Sequence, residues 1–306
     1  MMHYAIAQNI IGSTKEVPLS QADFEQAQRS YDILQLVVAV EEGFDAIARN
    51  FLDFELDMIT SVLEVSHVGF GAGMKGMAIR RLLNRRMSNL LSATRAYTDT
   101  TKHAAKLIFG QDERYKAVDE RFNHHYDSCL GYRVLEALRN YSQHCGLPIH
   151  EVRYSTKVLR EKVGKPMKHT IAPLLDVGIL KSDSQFKASV LKELEAKGQH
   201  INLKSFTREY VACLAEIHEL FRNHVANVSK SENEVIERLA SAFIDVKATK
   251  DGRAGLYAVE LNGSKWVRRV PLFAGLYDYG EFLVHSNLHF VHVGVSFVSS
   301  ELEEDA

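Results

Sequence analysis

The chain has 306 residues, 46% apolar and 25% charged, with a formal net charge of −2. A chain of this length buries roughly three quarters of its unfolded surface, so it sustains a real core. Its near-neutral charge excludes a bulk polycation, and any nucleic-acid site must come from a local basic patch. The three cysteines, Cys129, Cys145 and Cys213, are far apart with no CxxC pair, which excludes a zinc knuckle or a disulfide scaffold. They read as free, buried thiols in a reducing compartment.

In chain order, the N-terminus has no charged start and no long apolar run, so no signal peptide is expected. The run Leu36-Val37-Val38-Ala39-Val40 stops at Glu41 and Glu42, far short of the ~20 apolar residues a membrane span needs. A cytoplasmic protein without a membrane partner is expected. A long helix opens after Pro18, with Ser20 and Asp23 spaced as a capping box. Its apolar positions Ile33, Leu36, Val37, Val40, Phe44, Ile47, Phe51, Phe54, Met58 and Val62 step by three and four, marking one buried face.

Gly69 to Gly76 interrupts that pattern. Gly71-Ala72-Gly73-Met74-Lys75-Gly76 fits G-x-G-x-x-G, but a helix precedes it where the dinucleotide fingerprint needs a strand, so it reads as a turn. A second helix carries Ile79, Leu83, Met87, Leu90, Thr94, Tyr97, Thr101, Ala105 and Ile108 on one face and ends at Gly110. A third is expected over residues 112–124. A fourth runs from about Tyr126 to the Gly146-Leu147-Pro148 stop.

Beyond Pro148 the texture changes. Residues 177–180 read as β-like, helices are expected at 184–196, 203–223 and 232–243, and residues 256–270 read as a hairpin turning at Asn262-Gly263. Residues 282–297 also read as strand-like. The fold class expected is mostly α: an up-and-down helical bundle over 1–150 with a mixed α+β C-terminal part over 151–306.

Several patterns invite chemistry. Histidines cluster at His124-His125 and at His285, His289 and His292; a strand would split the second set between two faces, so no metal site is expected. No HExxH, G-x-S-x-G or Walker A sequence is present, and no cofactor is implied. The run Arg80-Arg81-Leu82-Leu83-Asn84-Arg85-Arg86 is either a solvated helix face or a phosphate-contacting stripe.

The segment Arg139-Asn140-Tyr141-Ser142-Gln143-His144 is the best candidate. Asn140 and His144, four apart, share a helix face, while Arg139 and His144 lie about 140° apart on an ideal helix. Metal-free RNA cleavage uses the substrate's 2′-hydroxyl as nucleophile. Histidine moves the proton near neutral pH, arginine neutralises charge growing on the phosphorane, and asparagine orients either group. A capping histidine beside a surface ion-paired arginine is the structural alternative.

Leu138 to Pro148 resembles the signature of the HEPN superfamily: Arg, four to six residues, then His, often with Asn directly after the Arg. The likeness is strongest over residues 77–150, where Asn89, Tyr97, Asp99, Tyr126, Asp127, Tyr132 and Arg133 also resemble uncharacterised bacterial proteins carrying this segment. It implies a dimerising α-bundle and a metal-independent endoribonuclease acting as a toxin or in phage defence. Arg139 and His144 would be catalytic, with Asn140 supporting them. Arg133, Arg80, Arg81 and Arg85 would contact RNA more weakly, and an antitoxin or regulatory protein would be a partner. The alternative is a non-catalytic nucleotide- or protein-binding module, because a fold does not fix a function.

Overall fold

Ser20 caps the first helix as its spacing predicts. Its Oγ accepts the amide N–H of Asp23 at 3.0 Å and donates to Asp23 Oδ2 at 2.7 Å. The structure is a computed structural model describing residues 2–9, 16–69, 74–158, 167–184, 186–247, 255–273 and 275–296. The chain is mostly α-helical, with small antiparallel sheets and a mixed α+β C-terminal part.

In order come β1 (Met2–Gln8), β2 (Glu16–Leu19), α1 (Gln21–Val68), α2 (Met74–Phe109), α3 (Glu113–Ser128) and α4 (Leu130–His144). Then follow β3 (Glu151–Val158), β4 (Met167–Asp176), α5 (Val177–Lys181), α6 (Ala188–Glu195), β5 (His200–Asn202) and α7 (Leu203–Lys247). β6 (Leu256–Asn262), β7 (Lys265–Pro271), α8 (Gly275–Ser286) and a 3₁₀ turn (Leu288–His292) complete the described chain.

Periodicity located the long helices well. Val37, Val40, Phe44, Ile47, Phe51, Phe54 and Met58 are all buried, as are the α2 positions from Ile79 to Ala105. Gly110 ends α2 at φ +65°, a left-handed turn that glycine adopts without steric cost, with its N–H on the Lys106 carbonyl at 2.9 Å.

Four expectations are corrected. The helices expected at 203–223 and 232–243 are one helix, α7. The polar stretch between them contains no proline or glycine, so nothing in the backbone stops the helix. Residues 177–180 form helix α5, because Asp176 Oδ1 takes the Gly178 amide at 2.8 Å and caps a turn. The strand-like reading of 282–297 gives way to α8 and the 3₁₀ turn over the described residues. The hairpin exists, but Asn262 pairs with Lys265, so Gly263 (φ +61°) and Ser264 make the turn one residue later than expected. Strands β1 and β2 carried no sequence signal that was read. Gly71, Ala72 and Gly73 of the glycine-rich segment lie outside the described residues.

The chain divides into two compact units built from discontinuous segments. The first comprises residues 1–42, 100–115 and 220–288. It contains the antiparallel sheet β2-β1-β6-β7. Alternation along the strands sends Ile6, Ala258 and Val270 into a core with Phe24, Leu34, Ile236, Leu239 and Phe243, while Ala5, Ala7, Val259 and Leu261 pack on the opposite face. Within this unit Arg222 grips the buried carboxylate of Glu41 through Nε and Nη2 at 2.6–3.2 Å.

The second unit comprises residues 43–99, 116–219 and 289–306. It contains the antiparallel sheet β3-β4-β5 and all of α3 beyond its first turn, α4, α5 and α6. Its core is helical and includes Tyr97, Leu83, Met87, Leu135, Leu138, Tyr210, Leu214 and Ile217. The candidate residues 139–144 lie in this unit. Among the described residues, no helix is long and apolar enough to cross a membrane.

Candidate functional site

α4 has a capped start and a forced end. Cys129 sits at its N-cap with Sγ accepting the Tyr132 amide at 3.4 Å. At the other end the amides of Cys145 and Gly146 both converge on the Tyr141 carbonyl, at 2.8 and 3.2 Å, and the chain then turns away toward Pro148. Asn84 anchors the exit. Its buried side chain accepts the Ile149 N–H at 2.9 Å and donates to the Ile149 carbonyl at 2.8 Å. The last turn of α4, which carries His144, is thereby held from both sides.

One face of that helix opens on a cavity of about 190 Å³. Glu136, Ala137, Asn140, Tyr141 and His144 line it from α4. Cys145, Tyr126 of α3, Asp183, Phe186 and Lys187 supply the remaining walls. The spacing of four that puts Asn140 and His144 on one face therefore brings both to the same opening. The volume suits one small group rather than a dinucleotide cofactor.

Arg139 is not on that wall, as its 140° offset from His144 predicts. Its side chain is only 11% exposed. Nη2 donates to Asn140 Oδ1 at 2.9 Å and lies 3.4 Å from Glu136 Oε2, while buried Nε has no hydrogen-bond partner among the described residues. Glu136 is held in turn by the Tyr210 hydroxyl, which donates to Oε1 at 2.5 Å. The guanidinium thus stands behind Asn140, joined to the cavity through it.

The other lining groups set the local chemistry. Lys187 lies over the Tyr126 ring, 4.6 Å from its centroid, and contacts the Tyr126 hydroxyl. Cys145 lies beside Asp183, whose carboxylate pushes the thiol pKa up. His150 lies beside Tyr141. Its Nδ1 accepts the Asp176 amide at 3.0 Å, so the neutral ring carries its proton on Nε2, 3.4 Å from the Tyr141 hydroxyl. Burial pushes the His150 pKa down, against the opposing charge of Asp176.

The weaker candidates separate. Arg133 is bound to Glu193 at 2.7 and 3.2 Å and to the carbonyls of Tyr126 and Asp127 at 2.9 and 2.7 Å, so it ties α4 to α6 and to the end of α3. Arg80 donates to the His150 carbonyl at 3.0 Å. Arg86 bridges Asp53 and Asp57 at 2.6 and 2.7 Å. Arg81 and Arg85 are exposed on α2. Lys187 and Phe186 were not singled out from sequence, since they lie more than 40 residues beyond His144 and no motif links them to it, whereas Tyr126 belongs to the stretch that carries the resemblance.

Cys145 is exposed, contrary to the expectation of buried thiols, whereas Cys213 is buried. His285 lies on α8, and His289 and His292 on the 3₁₀ turn. Among the described residues, no group of three or more His, Cys, Asp or Glu is placed to hold a metal ion. No protein family, curated protein or solved structure matches the chain.

Proposed function

We propose that the protein is a metal-independent endoribonuclease of HEPN type. The reading is carried by one observation: Asn140 and His144 open onto the same small cavity, with Arg139 bonded directly behind Asn140. In this reaction the substrate's 2′-oxygen attacks phosphorus, the P–O5′ bond breaks, and a 2′,3′-cyclic phosphate results. His144 takes the 2′-hydroxyl proton on its imidazole nitrogen. Asn140, polarised by the Arg139 guanidinium, donates from its amide to a non-bridging phosphate oxygen. Lys187 adds a cation at the cavity wall.

On this reading a second imidazole, the His144 of another copy of the chain, protonates the leaving 5′-oxygen in a homodimer. An exposed apolar row supports that assembly. Leu52, Leu56, Ile59 and Leu63 on α1 repeat at intervals of four, three and four, the spacing of a two-helix seam. On this reading the protein works in the cytoplasm as a toxin or phage-defence effector restrained by an antitoxin or regulatory protein.

The test is incubation with total RNA in EDTA. Fragments ending in 2′,3′-cyclic phosphate are expected from the wild type and not from His144→Ala. Equal cleavage by the two proteins removes the assignment. A second reading has its own support: Glu136 already neutralises Arg139, as in a scaffold for a non-catalytic nucleotide- or protein-binding module. Absence of cleavage across varied RNAs, with no toxicity on overexpression, selects that module.

A further inference from the structure

His150 leads from the cavity into another feature of the same unit, the two-stranded ribbon of β3 and β4. Its carbonyl accepts the Arg80 N–H at 3.0 Å, its amide donates to the Leu174 carbonyl at 2.9 Å, and its ring lies against Tyr141 of the cavity wall. β3 starts at the next residue, so the ribbon is rooted beside the cavity. Ile171, Leu174 and Leu175 of β4 are buried at that root. Farther out the ribbon stands clear: Ser155, Thr156, Lys157 and Val158 are all exposed, as are Met167, Lys168 and Thr170 on the paired strand. At about 3.4 Å per residue, β3 reaches on the order of 24 Å from its root.

The ribbon has two unlike faces, because alternate residues point to opposite sides. On one face Tyr154 stacks on His169 with ring centroids 5.7 Å apart, its hydroxyl is 2.5 Å from His169 Nδ1, and Thr156 Oγ1 lies 3.1 Å from the same nitrogen. That cluster ties the strands together. On the other face Arg153, Ser155 and Lys157 of β3 stand beside Ala172, Thr170 and Lys168 of β4. Arg153 is bonded to Glu151 at 3.1 Å, so its charge is met at the root. Lys157 lies directly opposite Lys168. Like charges so placed destabilise a strand pair, and a two-stranded ribbon outside a core is only marginally stable. The sequence raises the same charge further. Residues 153–170 hold six lysines and arginines against one glutamate, a formal +5 in a chain of −2.

We propose that this basic face of the β3–β4 ribbon, centred on Lys157 and Lys168, docks the phosphate backbone of single-stranded RNA. The choice of RNA rests on the nuclease reading: a strand leaving the α4 cavity past Tyr141 and His150 meets the ribbon at its root. Two ammonium groups set side by side by the strand register offer a phosphate a closely spaced pair, whose mutual repulsion is relieved when the anion arrives. Contacts to phosphate are blind to sequence, so the ribbon adds affinity and direction and leaves the choice of bond to the cavity. Two rival readings of these lysines are separable from it. Charge on an exposed strand also guards it against pairing with other strands, a duty that glutamate performs too. An anionic membrane attracts the same charge, but among the described residues of the ribbon only Val158 and Met167 are large, apolar and exposed, too little to seat it in a bilayer.

The test measures binding of a fluorescent RNA of about 20 nucleotides, longer than a typical single-strand site. It uses the full chain carrying His144→Ala, so that no cleavage intervenes, in EDTA over a range of salt. Lys157→Glu turns the like-charge pair into an opposite-charge pair and so stabilises the ribbon. It is nevertheless expected to weaken RNA binding at least about fivefold and to flatten the slope of log K against log salt by at least about 0.7. Adding Lys168→Glu restores a like-charge pair and is expected to weaken binding about fivefold again. Affinity that followed ribbon stability would instead be highest in the single variant. Lys230→Glu, exposed on α7, makes the same change of net charge and is expected to leave affinity within about twofold. Equal affinity of Lys157→Glu and its parent, an equal loss in Lys230→Glu, or tighter binding to phosphatidylglycerol vesicles than to RNA overturns the proposal. The two readings fail separately. RNA binding lost in Lys157→Glu, beside a wild type that cuts no RNA, removes the nuclease and keeps the ribbon; RNA cutting by the wild type, beside unchanged binding in Lys157→Glu, does the reverse.

Discussion

Arg139 spends a guanidinium N–H on its own neighbour, donating from Nη2 to Asn140 Oδ1 at 2.9 Å, with Glu136 Oε2 3.4 Å away. The arginine is thereby the anchor of the segment and His144 its exposed member. Arg139→Met leaves Glu136, a mostly buried carboxylate, without its cation, and costs about 1–3 kcal/mol of stability. His144→Ala stays within about 0.5 kcal/mol of wild type, since it removes only surface contacts. Urea unfolding of the two variants checks the contrast, and equal losses contradict it.

Gly131 is placed for contact between helices. Gly131→Ala puts a methyl against the Phe206 carbonyl at 3.1 Å and the Glu209 Cβ at 2.8 Å, so the helices must separate. A destabilisation of about 1–3 kcal/mol is expected. Urea unfolding of the variant beside the wild type checks it, and an unchanged midpoint contradicts it.

Asn84 satisfies both polar groups of Ile149 from inside the core. Asn84→Leu keeps the volume but strips the partners from a buried N–H and C=O, at a cost of about 2–3 kcal/mol or more. Hydrogen exchange at the Ile149 amide is expected to accelerate with it. An unchanged exchange rate contradicts this account of how α4 is terminated.

In the first unit, Glu41 is 2% exposed and held by Arg222 through two guanidinium nitrogens. Truncating one partner of a buried pair strands the other charge. Arg222→Ala therefore costs about 3–5 kcal/mol, while replacing both residues with apolar side chains of similar size recovers much of the loss. Thermal melts of the single and double variants separate the two effects.

Burial lowers the pKa of both His125 and His150 relative to the unfolded chain. Each group then binds its proton more readily when unfolded. The contribution of these two histidines is constant above about pH 6.5 and stability falls as the pH drops below that value, until the folded histidines themselves protonate. Asp112, whose pKa is lowered by Arg114, acts in a separate window below about pH 4. A urea midpoint that is lower at pH 5.5 than at pH 7.5, with a smaller difference in His150→Gln, is the expected result.

The helices were legible because periodicity reports burial directly: a face that must leave water repeats every 3.6 residues whatever it packs against. The same local rules gave Ser20 as a cap, Gly110 as a stop, the end of α4 before Pro148, and Asn140 and His144 on one face. Residues 177–180 and 282–297 misled because short apolar runs fit a strand or a buried helix equally, and only the capping carboxylate of Asp176 and the packing of α8 separate them. The pairing of β1 with β6 was hidden because the two strands lie some 250 residues apart, and pairing at that distance leaves no local pattern. Tertiary structure alone brought Lys187 and Phe186 to the α4 cavity and set the Tyr210 hydroxyl on Glu136. Those meetings depend on which helices touch, a relation between distant segments that no single stretch of chain encodes.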